Sequence, residues 1–157
     1  MQDMDPGFVP PPYREVLLTY HDGSVRKVYV TDREEPYPDG HLIVSRTNCD
    51  GILTHANAAF VEMSGYTREE LIGQPHCILR HPDMPKAAFA DLWACVQRGE
   101  QWHGYVKNLR KDGGHYWVYA SVIPNVRDGV AVGYTSVRRK PSRARIAEAE
   151  AAYRDLD

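Results

Sequence analysis

Two stretches of the chain concentrate side chains that could do chemistry. The first, Gly73-Gln-Pro-His-Cys-Ile-Leu-Arg-His-Pro-Asp-Met-Pro85, brings His76, Arg80, His81 and Asp83 within eight positions, and its prolines prevent a long regular helix. The second, Gln101-Trp-His-Gly-Tyr-Val-Lys-Asn-Leu-Arg-Lys111, has the pattern of a strand, whose alternation puts Trp102, Gly104, Val106 and Asn108 on one face. An irregular polar loop opposite such a strand makes a ligand pocket. Trp102 offers stacking surface, Asn108 a donor and an acceptor, and the loop its imidazole and guanidinium groups. No nucleophile stands out. The sequence lacks G-x-S-x-G, a G-x-x-x-x-G-K-[ST] phosphate loop and H-E-x-x-H. The carboxylate pairs Glu34-Glu35 and Glu69-Glu70 fall on a linker and an exposed helical turn, so the chain does not read as an enzyme.

The elements that must position these groups begin near His41. Short strands are predicted over 41–47 and 52–55, around a turn at Asn48-Cys-Asp-Gly51. Three short helices follow. Asn57 caps the first, which carries Phe60 and Met63 and stops at Gly65. Thr67 and Glu70 make a T-x-x-E capping box, with Tyr66 and Leu71 as its hydrophobic staple and Gly73 as terminator. Asp83 is placed to cap the third, whose stripe of Phe89, Leu92, Trp93 and Val96 faces the core before Gly99. Strands over 102–110, 115–126 and 130–139, joined at Lys111-Asp-Gly-Gly114 and Arg127-Asp-Gly129, must be antiparallel neighbours. Ser142 caps a last helix over 143–156. The order describes an α+β domain, 41–140, with helices over one side of a five-stranded antiparallel sheet, and a C-terminal helix in 141–157. Whether Trp117 faces the core or the outer surface is open on pattern alone.

Residues 1–40 form an extension. Four prolines in 1–15 suggest an extended, mobile tail. A β-hairpin is expected over 16–30 around His21-Asp-Gly-Ser24, and 32–40 reads as a linker. An isolated hairpin is marginal, so this one should pack on its own domain or on a second copy.

The length, 157 residues, suits one domain, and 43% apolar with 25% charged residues is ordinary for a globular protein. A net charge of −2 gives no reason to expect nucleic acid; the one basic run, 138–145, reads as a solvated strand end and linker. Three cysteines without C-x-x-C spacing suggest neither a disulfide framework nor zinc. No apolar run spans a membrane and the N-terminus lacks a signal-peptide pattern, so the expected setting is cytoplasmic.

With Asn57-Ala-Ala-Phe60, Ser64-Gly-Tyr-Thr-Arg-Glu-Glu-Leu-Ile-Gly73 and Lys111-Asp-Gly113 ahead of a Trp-containing strand, the element order resembles a PAS sensory domain. Thr54-His-Ala-Asn57, Gly73-Gln-Pro-His76, Arg80-His-Pro-Asp-Met-Pro85, Ala88-Phe-Ala-Asp-Leu-Trp93, Val106-Lys-Asn108, His115-Tyr-Trp117 and Gly133-Tyr134 resemble, more closely, the PAS domain of bacterial aerotaxis receptors, over residues 41–157. That resemblance implies non-covalent FAD, a redox or oxygen-sensing role and relay to a chemotaxis-type signalling protein. Carried over by position, it implies His76, Arg80, His81, Asp83, Trp102 and Asn108 as flavin-contacting or pocket-shaping residues. Members of that family continue into a membrane segment, a HAMP linker and a coiled coil. The expectation here is a small sensor acting in trans or by self-association as a homodimer; the runner-up is a sensory fragment of a longer receptor.

Rival readings stay open on the sequence. The domain could be a cofactor-free interaction module, with His76 and His81 as ordinary loop histidines. It could also be a haem gas sensor using one of them as axial ligand. Cys77 lies near the photoactive cysteine of light-oxygen-voltage domains, but those read G-x-N-C-R-F-L-Q. Here the cysteine follows Gly73 by four positions and the flanking Asn and Gln are missing, so adduct photochemistry is not implied.

Overall fold

The computed structural model describes residues 1–156; Asp157 lies outside them. Its core is a five-stranded antiparallel sheet in the order β4-β3-β7-β6-β5. The strands are β3 (Ile43–Thr47), β4 (Leu53–Ala56), β5 (Trp102–Leu109), β6 (His115–Arg127) and β7 (Val130–Arg139). The last three form the expected meander, closed between β6 and β7 by Asp128 and Gly129 at φ 52° and 78°. That pair of positive φ values is the two-residue turn whose twist matches antiparallel strands. The less local event is the pairing of β3 with β7, which puts Ile43 opposite Arg138 and Ser45 opposite Ser136.

Between β4 and β5 run α1 (Ala58–Ser64), α2 (Arg68–Leu71), a 3-10 turn at His76–Leu79 and α3 (Lys86–Gln97). Local chemistry sets the ends of the first two. Asn57 Oδ1 accepts from the Phe60 N–H, and the reciprocal Thr67–Glu70 capping box is complete. The third departs from expectation. Asp83 does not cap α3: Pro85 is its N-cap and makes no side-chain hydrogen bond. The Asp83 carboxylate turns instead to Lys107 of β5 and Arg14 of the extension, because cations there outcompete a helix end that proline already starts. On α3 only Val96 is buried; Phe89, Leu92 and Trp93 are half-buried, because the helix stands off from the sheet.

The extension is better anchored than its prolines suggest. β1 (Arg14–Thr19) and β2 (Val25–Val30) pair as the expected hairpin. Met4 and Val9 are buried with Leu18, Val28 and Leu109, so the first residues are packed rather than free. Arg26 is buried and donates to the carbonyls of Gln2 and Ile78 and to the Tyr66 hydroxyl, which ties the hairpin to the helical layer. Residues 32–40 are not a loose linker either. They run beside the start of β6 through Glu35 N–H to His115 O, and the buried Tyr37 hydroxyl lies 2.8 and 2.9 Å from the carbonyls of His41 and Arg138.

The opposite sheet face carries α4 (Arg143–Arg154), capped by Ser142. Trp117 faces outward, not to the core, and is buried under Ile146 and Ala149 with the Tyr153 ring stacked nearby. The Tyr153 hydroxyl donates to the Tyr105 carbonyl of β5 at 2.6 Å. No helix is long and apolar enough to cross a membrane among the described residues.

Candidate functional site

Strand register explains why a cavity exists under the sheet. Across four strands one row reads Ile43, Arg138, Ala120 and Gly104, and the next reads Ser45, Ser136, Val122 and Trp102. Small side chains in these rows leave space that the stand-off of α3 does not fill. The result is a largely apolar cavity with about 850 Å3 of empty space, mouth included. Its floor comes from β3, β5, β6 and β7; its roof from His76, Cys77 and Arg80 of the loop and Phe89, Leu92 and Trp93 of α3. That size suits a small-molecule or cofactor ring system.

Four of the six residues singled out from sequence meet here: His76, Arg80, Trp102 and Asn108 all line the cavity. The Trp102 indole lies along its own strand across Gly104, where a Cβ would stand 2.3 Å from the ring. Its N–H donates to Asp91 of α3 at 2.9 Å, which fixes the ring as a wall. Asn108 is buried, and its backbone pairs with Arg80 in an isolated antiparallel bridge. Along that extended stretch neighbouring side chains point to opposite sides. Arg80 therefore faces the cavity and His81 does not.

His81 and Asp83 are not on the cavity wall. His81 is buried beside His115, ring centroids 6.0 Å apart, and its Nδ1 accepts the Asp83 N–H at 3.0 Å. Asp83 is exposed, accepting from Lys107 at 2.9 Å. Asp83 braces the loop against β5 and His81 packs it against the start of β6, instead of touching the cavity.

The most consequential residue of the cavity is not among those six. Arg138, assigned to a solvated basic run, is 1% exposed and lies on the cavity floor. Its guanidinium lies 4.5 Å from the Phe60 ring centre, donates to the Ser45 hydroxyl and meets His76 Nε2 at 3.1 Å. It has no carboxylate partner among the described residues, and its Nε has no hydrogen-bond partner there either. Burial pulls its pKa down to about 10, so it stays charged at neutral pH. Period-two alternation from Tyr134 through Ser136 would have placed it inward, but the run of cations after it masked that signal.

Burial is also the main reason the histidines stay neutral. It pushes His76 to about 3, with Arg138 adding repulsion, and His81 to about 3 and His115 to about 4, with Lys107 adding to each. In the unfolded chain these groups take up protons near pH 6.5. Stability contributed by the neutral rings is therefore complete above about pH 6.5 and is lost progressively as the pH falls toward about 3 to 4. By about pH 5 each histidine should remove on the order of 2 kcal/mol. The thermal midpoint should drop clearly between neutral and mildly acid buffer; an unchanged midpoint would contradict the buried neutral cluster.

A sheet cavity roofed by short helices and lined by the donors of Arg80, Asn108 and Arg138 defines a ligand-holding domain. The chain belongs to the PAS-fold family, whose model, described as PAS fold, matches residues 53–138. Over 129 residues it is 50% identical to the aerotaxis receptor of Escherichia coli strain K12, a match covering 82% of this chain and 26% of that receptor. Among solved structures it resembles the LOV domain of the blue-light photoreceptor Aureochrome1 in its light state, with TM-score 0.64 and 20% identity over 73% of this chain and 91% of that one. It also resembles a light-oxygen-voltage domain from work with a flavin analogue, with TM-score 0.61 and 24% identity over 73% and 85% of the two chains.

Proposed function

We propose that this domain is a redox sensor that holds FAD non-covalently in the sheet cavity and passes its redox state to a chemoreceptor-type signalling partner. The carrying observation is Arg138, a buried cation without a counter-charge among the described residues, on the floor of an apolar cavity that also presents Trp102 and Asn108. A solitary buried charge is costly, and an electron-rich ligand edge would offset that cost. The 50% identity with an aerotaxis receptor points the same way, as does the likeness to a light-oxygen-voltage domain studied with a flavin analogue.

Bound there, a flavin supplies a ring that exchanges electrons and protons with its surroundings. Trp102 gives that ring a flat apolar wall, and Asn108 a donor and an acceptor for its uracil-like edge. Arg138 and the His76 ring place positive and dipolar groups against it. Arg80 stands at the mouth, suited to phosphate oxygens. Asp83 holds the loop to β5 and His81 packs it on the start of β6, so both act by positioning. A haem reading is less favoured, since His76 Nε2 already meets the Arg138 guanidinium and His81 lies off the cavity. For output, β5 is the short route: its inner face lines the cavity and its Tyr105 carbonyl accepts the Tyr153 hydroxyl of α4.

The purified protein should be yellow, with the visible absorption bands of an oxidised flavin that bleach on reduction. Asn108→Ala should weaken binding by about 1–3 kcal/mol by leaving ligand edge atoms unpaired, and Trp102→Ala by about 1 kcal/mol or more. Full flavin content in both variants would show the pocket to be elsewhere. A Soret band would point to haem, and a colourless protein that takes up no flavin to an interaction module.

A further inference from the structure

The cavity continues outward into a second groove, and the two share Gly51, His76, Cys77, Arg80, Phe89 and Trp93. The groove holds about 1110 Å3 of empty space with open solvent included. Any ligand longer than a ring system must therefore leave the inner cavity past Arg80 and Trp93. The outer walls include residues not shared with the cavity: Tyr20 and His21 at the turn of the N-terminal hairpin, and Lys86 in the first turn of α3.

The chemistry along this path is cationic and then aromatic. Arg80 makes no ion pair among the described residues; its guanidinium rests 4.9 Å from the Phe89 ring centre and its buried Nε has no hydrogen-bond partner. Lys86 is exposed and also unpaired among the described residues, and Asp50 is the one carboxylate on the groove wall. Two cations without counter-ions, followed by the His21 ring and the Tyr20 edge, match a diphosphate followed by a purine base.

We infer that this groove takes the adenosine diphosphate end of the ligand, so that the hairpin outside the PAS core selects FAD over FMN. The inference rests on the flavin reading above. It assigns the extension a ligand-binding role rather than a purely structural one.

The test uses the whole chain stripped of flavin and titrated with FAD, FMN and riboflavin, following flavin fluorescence. FAD should bind about tenfold or more tighter than FMN. The exposed double substitution His21→Ala with Lys86→Ala should weaken FAD by about tenfold, leave riboflavin unchanged and shrink the preference for FAD. Equal binding of FAD and FMN by the natural chain, or parallel weakening of FAD and riboflavin in the variant, would overturn the groove assignment while leaving the flavin reading intact. Binding none of the three would overturn both.

Discussion

Replacing Arg138 by methionine should make the flavin-free protein more stable while sharply weakening its hold on flavin. Most core substitutions destabilise, so the sign itself is diagnostic. Arg138 is fully buried and still charged at neutral pH, yet among the described residues only the Ser45 hydroxyl, His76 Nε2 and the Phe60 ring meet its guanidinium. Desolvating such an ion costs several kcal/mol, and two hydrogen bonds with no opposite charge among the described residues return only part of that cost. Methionine has comparable length and fills the space with apolar atoms. A gain of about 1–3 kcal/mol in the ligand-free state is expected, against a loss of about 2–4 kcal/mol in flavin binding. Thermal unfolding without ligand and a flavin titration read the two effects separately. A less stable protein with undiminished affinity would make Arg138 a structural residue and remove the main support for the cavity reading.

The second large effect should follow Gly133→Ala. Gly133 lies on β7 opposite Asn125 of β6, beside the end of β3. A Cβ there would stand 2.2 Å from the Thr47 carbonyl oxygen and 3.3 Å from its carbon. The obstructing atoms are backbone, held in the β3–β7 ladder, and cannot swing away as a side chain could. The strands must separate locally, at about 3 kcal/mol or more. Since Thr47 and Ser45 line the cavity, ligand content should fall together with the denaturation midpoint. Near-native stability in this variant would mean that β3 and β7 pair more loosely than their register implies.

Much of this molecule is legible one element at a time. The Asn57 cap, the Thr67–Glu70 box and the Asp128-Gly129 turn are nearest-neighbour chemistry, and each forms as its residue types require. Alternation along β5 likewise placed Trp102, Val106 and Asn108 on the cavity side before any partner strand was known. Tertiary structure alone decided the rest. Asp83 suits a helix cap by type, but Lys107 and Arg14, brought in from β5 and the extension, claim its carboxylate. Proline-rich residues look mobile until Met4 and Val9 find the hairpin and Leu109. Trp117 is an inward or outward residue only once α4 covers the outer face. Arg138 shows the limit most clearly. Its neighbours in sequence are cations that favour solvent, while Ser45 and His76, 93 and 62 residues away, make its surroundings. Propensity acts over a few residues, but burial and charge pairing are set by whichever distant segments the sheet brings together.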